Sequence, residues 1–131
     1  VSSKKLNEYK NASLMEIVED IVDIDSGMRF AAIIDLKGNI LESIMKKGKT
    51  SLKTQKEEEH FCYQVAQRRK MRKEFDKTLG KVRYVQVERE KVTQIVIYPK
   101  RKTIYFTLEP EMNITKKMAI INKVKKITAF L

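Results

Sequence analysis

The sequence predicts one α+β domain: a five-stranded antiparallel sheet with helices on both faces. Three observations predict it. The 131 residues are enough for one core and too few for two ordinary ones. The segments run in the order α-β-β-α-β-β-β-α, with the strands grouped into antiparallel runs. Four of the five strand candidates, the first and the last three, are nearly continuous apolar runs, the pattern of a sheet covered on both sides. With 4 Gly and 2 Pro there is little punctuation, so long regular elements are expected.

Residues 1–12 are read as a flexible tail, because 1–11 are polar and carry no apolar period. The domain then covers 13–131. Ser13 with Glu16 reads as a capping box. Leu14, Ile17, Val18 and Ile21 follow as one stripe with Val22 beside it, opposite Glu16, Glu19, Asp20 and Asp23. "MRFAAIIDL" is a strand buried on both faces. In "DLKGN", Asp35 suits the first position of a type I turn and Gly38 the left-handed position after it. "ILESIMKK" returns as a second, partly exposed strand. A basic loop covers 46–53.

Thr54 with Glu57 makes another capping box, and Gly80 is a helix stop. The helix between them spans about 25 residues, or about 37 Å. Three strands follow, "KVRYVQVERE", "VTQIVIYPK" and "KTIYFTLEP", rich in Val, Ile, Thr, Tyr and Phe. A last helix runs from Asn113, with Ile114, Met118 and Ile121 inward and Val124 alongside.

The formal charge is +11, from 28 Lys and Arg against 17 Asp and Glu. It is uneven: residues 1–28 sum to −3, which leaves +14 on the rest. Such a field attracts polyanions and acidic proteins, and it also arises on a surface that only keeps a protein soluble. The apolar runs are shorter than a membrane span and no signal-peptide pattern opens the chain, so the expectation is a cytoplasmic protein with no membrane partner. Cys62 is the only cysteine, which excludes an internal disulfide and fits that compartment.

"FAAIIDLKGNILES" resembles the opening hairpin of the roadblock branch of the profilin-like folds: a hydrophobic strand ending in Asp, then Gly, then a returning strand. The element order of 13–131 is similar too. The whole chain, with "MRKEFDKTLGKV", also resembles a small family of uncharacterised archaeal proteins. The roadblock resemblance implies a sheet ordered 2-1-5-4-3, with the first and last helices on one face and the long helix on the other. It implies a homodimer formed through the third strand and the long helix, and small GTPases or motor assemblies as partners. The very basic long helix and loops depart from the usual roadblock pattern.

Signatures of catalysis are missing from the sequence. Gly38 and Gly80 are accounted for as a turn and a helix stop, so no phosphate loop is present. One His and one Cys do not make a usual zinc site. His60 and Cys62 diverge by about 200° on a helix and do not form a catalytic pair. Cys62 lies beside Phe61 and Val65 and reads as a small buried hydrophobe. Glu57, Glu58 and Glu59 offset the dipole of the long helix. Asp35 serves a turn, and Glu42 sits at an exposed strand position. No catalytic residue, cofactor or metal is predicted.

"QRRKMRKEFDK", residues 67 to 77, carries the candidate sites. With Phe61 at 0° and about 100° per residue, Val65 falls at about 40°, Phe75 at about 320° and Leu79 at about 0°. These define an apolar stripe. Arg69, Lys73, Lys77 and Lys70 lie at about 80°, 120°, 160° and 180°, on a flank that water alone can explain. Arg68 and Arg72, at about 340° and 20°, interrupt the stripe and ask for a partner. The expected dimer interface is therefore Arg68, Arg72 and Phe75 with the third strand: Val82, Tyr84, Val85 and Val87. Candidate acceptors for the arginines are Glu74, Glu88 and Glu90. The function expected first is a non-enzymatic, homodimeric interaction module. The alternative is binding of nucleic acid or another polyanion through Arg69, Lys70, Lys73 and Lys77 with Lys46–Lys49 and Lys100, Arg101 and Lys102. A further alternative is a PAS-like sensor with Met45, Met71, Met112 and Met118 around a small ligand.

Overall fold

A computed structural model describes residues 6–131. Helix α1 (Leu14–Val22) precedes the hairpin β1 (Met28–Ile34) and β2 (Ile40–Met45). Helices α2 (Gln55–Lys73) and α3 (Asp76–Leu79) follow. Strands β3 (Val85–Glu88), β4 (Thr93–Ile97) and β5 (Thr103–Leu108) and helix α4 (Ile114–Ile127) complete the chain. The five strands form one antiparallel sheet in the order β2-β1-β5-β4-β3, as the resemblance implied.

Local chemistry places the ends of the elements. The Ser13 side chain accepts from the Glu16 amide at 3.1 Å, and Asn113 does the same for Lys116 at 2.8 Å. Thr54 and Glu57 form the full reciprocal box at the start of α2. In the β1–β2 turn, the Asp35 carboxylate accepts from the amides of Lys37 and Asn39, both at 2.9 Å. Gly38 there has φ of 98°. A Cβ at Gly38 would lie 2.7 Å from the Tyr63 Cα, so this turn also needs glycine because α2 passes directly over it.

Alternation along the strands sorts side chains onto two faces. Ala31 and Ile33 of β1, Ile95 and Ile97 of β4, and Ile104, Phe106 and Leu108 of β5 meet α1 and α4. Phe30, Ala32, Ile34, Val96 and Tyr105 face α2.

Four expectations are corrected. The sequence reads the tail as flexible through residue 12. Residues 1–5 of it lie outside the described residues, but Leu6–Asn11 form a 3-10 helix and Tyr9 is buried in the core, donating to Asp20 at 2.8 Å. One aromatic anchor leaves no period to read. The long helix ends at Lys73 rather than near Gly80. Its last amides turn back on nearer carbonyls, Glu74 to Met71 and Phe75 to Arg72, and Phe75 and Leu79 are exposed, so nothing beyond Arg72 holds the helix to the sheet. The third strand begins at Val85, three residues later than expected, and is half-exposed rather than covered on both faces. In α4 the inward residues are Ile120, Ile121, Val124 and Ile127, whereas Ile114 is exposed. Lys117 takes an inward position because Glu88 and the Pro110 carbonyl receive its ammonium at 3.0 and 2.9 Å.

Candidate functional site

Helix α2 covers only part of its side of the sheet. Cys62, Val65 and Ala66 are its buried residues. In the same projection they fall at about 100°, 40° and 140°, which centres the buried stripe near 90°, within about 10° of Arg69. Arg69 is therefore the arginine that faces the protein. Its guanidinium donates to the Lys102 carbonyl at 2.6 Å, to the Thr103 hydroxyl at 2.9 Å and to the Pro99 carbonyl, and lies 4.9 Å from the centre of the Tyr98 ring. Burial lowers its pKa, partly offset by Tyr98 and Asp76. The expectation that Arg69 belongs to a solvated flank is corrected. The projection failed because Phe75 and Leu79, used to set the stripe, lie beyond the end of the helix.

Arg68 and Arg72 then sit at the β3 edge of α2. Arg72 donates to the Tyr98 hydroxyl at 2.9 Å. Arg68 has no hydrogen-bond or ion-pair partner among the described residues. Beside them opens a groove of about 240 Å³, floored by Val85, Val87, Val96 and Tyr98. Strand β3 bounds it. Among the described residues this strand pairs only with β4 and forms an edge of the sheet.

Four of the residues expected at an interface, Arg68, Arg72, Val85 and Val87, thus come together. Phe75 is exposed one turn beyond Arg72 and outside the groove. Tyr84 packs toward the opposite face of the sheet, and Val82 lines a different cavity. Of the three candidate acceptors, Glu88 is engaged within its own chain by Thr93 and by Lys117. The Thr93 hydroxyl and the other donors around Glu88 outweigh its desolvation and hold its pKa below the ordinary value.

The expected polyanion residues separate. Arg69, Lys70, Lys73 and Lys100 line a cavity of about 710 Å³ at the end of α2, joined there by Lys81. Lys77, Arg101 and Lys102 do not line it.

Under the N-terminal half of α2 lies a polar chain that periodicity did not reveal. The Lys53 ammonium donates to Glu58 at 2.9 Å and to the Tyr105 hydroxyl at 3.1 Å, and sits 4.4 Å from the centre of the Phe61 ring. Gln94 donates to the same hydroxyl through its side-chain amide, and Arg89 donates to the Gln94 Oε1. A polar Gln94 in an apolar strand was the one signal available. The chain fastens α2 to the sheet. Of the four methionines considered for a ligand pocket, only Met45 belongs with this face of the core, while Met112 and Met118 pack on the other and Met71 is exposed. Burial pushes the Cys62 thiol up to about 12, so it is protonated at neutral pH. Among the described residues there is no group of His, Cys, Asp and Glu able to hold a metal ion, and no helix long and apolar enough to cross a membrane.

Comparison with solved structures gives the same architecture. The gliding protein MglB of Thermus thermophilus superposes with a TM-score of 0.73 at 15% identity, covering 98% of this chain and 92% of that one. A Roadblock/LC7 domain of Streptomyces avermitilis gives 0.67 at 12% identity, covering 88% and 93%. Profilin II of Acanthamoeba castellanii gives 0.59 at 12% identity, covering 89% and 97%. The fold is that of roadblock and profilin-like proteins. No match to a curated protein sequence was found. A family model matches residues 6–130, and on that match the chain belongs to the family of unknown function DUF6659.

Proposed function

We propose that this chain is a non-enzymatic interaction module that works as a twofold homodimer, with the β3 edge and the α2 groove as the shared surface. The observation that carries the reading is the juxtaposition of a free strand edge, an apolar groove and Arg68, an arginine with no partner among the described residues of its own chain. A second copy satisfies all three at once. Its β3 supplies backbone partners, and its side chains fill the groove.

The charge along α2 favours a second copy over an unrelated partner. The helix is acidic at its start, with Glu57, Glu58 and Glu59, and basic at its end, from Arg68 to Lys73. A twofold axis crossing α2 at Gln64–Val65 sets two helices antiparallel. Glu57 then meets the mate's Arg72, and Phe61 meets the mate's Arg68. Arginine suits such a seam, because its planar fork binds a carboxylate and its flat face stacks on an aromatic ring. One structural neighbour is described as MglB with a tetrameric arrangement, so self-association is compatible with this architecture. Dimerisation creates a composite surface for a protein partner, and a small GTPase is the class implied by the roadblock resemblance. The protonated, buried Cys62 offers no nucleophile.

Sedimentation equilibrium tests the reading. The wild-type chain should show a dimer at micromolar concentration. Arg68→Glu should weaken dimerisation about a hundredfold or more, as loss of a central arginine does, and leave the monomer folded. Gln86→Pro should also give a folded monomer, because the register set by the Arg89–Val92 bond leaves the Gln86 amide on the unpaired side of β3. A wild-type monomer at all concentrations overturns the proposal, as does an Arg68→Glu dimer of undiminished affinity.

A further inference from the structure

The cavity at the end of α2 differs from the rest of the cationic surface. Four lysines line it from three parts of the chain: Lys70 and Lys73 from the last turn of α2, Lys81 from just after Gly80, and Lys100 from the β4–β5 hairpin. None of the four has an ion-pair or hydrogen-bond partner among the described residues. Some lysines elsewhere find acids: Lys46 with Asp23, Lys53 with Glu58 and Lys116 with Asp25. Others, such as Lys37, Lys56 and Lys91, are as unpaired among the described residues as these four, so the distinction of the cavity is that four lysines line it together. Asp76 is the one acid lining this cavity.

Two ordinary causes cover part of the pattern. A helix carries about half a negative charge at its C-terminal end, which accounts for Lys70 and Lys73. Hydration accounts for any single exposed lysine. Neither brings Lys81 and Lys100 to the same hollow. The hairpin is placed by Arg69, which binds the carbonyls of Pro99 and Lys102 on either side of Lys100. Lys81 is turned in after Gly80, whose φ of 85° ends the helical path. The wall is therefore built by interactions inside the protein and does not depend on mobile side chains alone.

We propose that this cavity binds a compact oligophosphate: pyrophosphate, tripolyphosphate or the phosphate tail of a nucleotide. The shape favours a compact anion over an extended one. A helix end, a turn and a hairpin enclose about 710 Å³, whereas nucleic-acid chains are held by grooves that track successive phosphates and by open aromatic faces. Tyr98, the aromatic residue of this wall, already has Arg69 on its ring. The negative end of α2 and the Asp76 carboxylate together oppose an anion by about one and a half charges, and the four lysines with Arg69 and Arg72 outweigh them. This site does not require self-association, and Lys81 and Lys100 lie outside the β3 groove.

Titration calorimetry on the full chain at low salt provides the test, with orthophosphate, pyrophosphate, tripolyphosphate and ATP as probes. Affinity should rise with phosphate number and fall with added salt. Equal affinity for ATP and tripolyphosphate assigns the site to the phosphates alone. Tighter ATP binding assigns it to a nucleotide. The double variant Lys81→Gln/Lys100→Gln should bind tripolyphosphate at least about tenfold more weakly, because two charge-assisted bonds are lost. Lys47→Gln/Lys123→Gln, with the same loss of charge at exposed positions outside the cavity, should change affinity less than about twofold. Equal weakening in both double variants overturns the proposal, because a diffuse field then explains the binding. So does a lack of binding by every oligophosphate. Duplex DNA that binds more tightly than tripolyphosphate and ignores Lys81→Gln/Lys100→Gln overturns it in favour of an extended polyanion.

Discussion

Tyr105 and Phe106 are neighbours on β5, both wholly buried, and they point into differently built halves of the molecule. Phe106 enters an apolar cluster with Ile17, Ile21, Ile33, Ile121 and Val124, pressed between two amphipathic helices and the sheet. Tyr105 enters a thinner cluster under a single helix that buries only Cys62, Val65 and Ala66. There the contact is completed by polar groups, with Lys53 and Gln94 on the Tyr105 hydroxyl and Arg69 on the backbone of the next hairpin. The first half is closed and supplies stability. The second half is fastened at both ends of α2 and leaves its β3 side open, and that is where a second chain has room to pack.

The largest effect expected from this contrast is on folding stability. Phe106→Ala should cost about 3–5 kcal/mol, since it opens a cavity in close-packed apolar surroundings. Tyr105→Phe keeps the ring, removes only the hydroxyl and should cost about 1–2 kcal/mol. Urea unfolding of both variants measures the pair. Similar costs would mean that the two faces are not energetically distinct.

A smaller effect is expected at the turn beneath α2. Gly38→Ala should cost about 2 kcal/mol, through its positive φ and through the approach of α2. Gly38→Asn separates the two causes. Asparagine tolerates positive φ, so an equal loss places the cost in the helix contact, and a clear recovery places it in the backbone.

The smallest effect near neutral pH, growing only in alkaline solution, is a pH dependence on the α2 side. Burial raises the Cys62 thiol from 9.0 to about 12. Between those values the unfolded thiol ionises and the folded one does not. The unfolded state then binds fewer protons, and stability falls as pH rises. Burial raises the pKa of Tyr105 as well, in the same sense. Cys62→Val should therefore flatten part of the alkaline limb of the stability curve. An unchanged limb would mean that Cys62 is more solvated than its burial indicates.

Much of the fold was legible in the sequence because its determinants are local. Ser13, Thr54 and Asn113 sit at helix starts because a side-chain oxygen there meets a free amide. Asp35 and Gly38 make their turn by the same short-range logic. The uninterrupted apolar character of β1, β4 and β5 announced a sheet covered on both faces. The candidate site was legible only in part. Arg68 and Arg72 were found by asking which residues spoil an apolar stripe, although the stripe itself was set in the wrong direction, and Val85 and Val87 came with the third strand that the roadblock resemblance implied. Tyr9, Lys117 and the Lys53–Tyr105–Gln94 chain gave almost no signal, since each depends on a partner far away in sequence.

The sequence by itself determined the five strands and three of the helices, their order, the hairpin at Asp35 to Gly38 and the inward faces of α1 and of most of α4. Those follow from capping, turn chemistry and apolar period, which act within a few residues. Only the tertiary structure decided where α2 stops and how it is rotated on the sheet. The helix has charged residues around most of its circumference, so its own pattern hardly distinguishes one rotation from another. The carbonyls of Pro99 and Lys102 and the ring of Tyr98 distinguish them. They turn Arg69 inward, leave Arg68 beside the open edge of β3, and set Lys70 and Lys73 around the basic cavity.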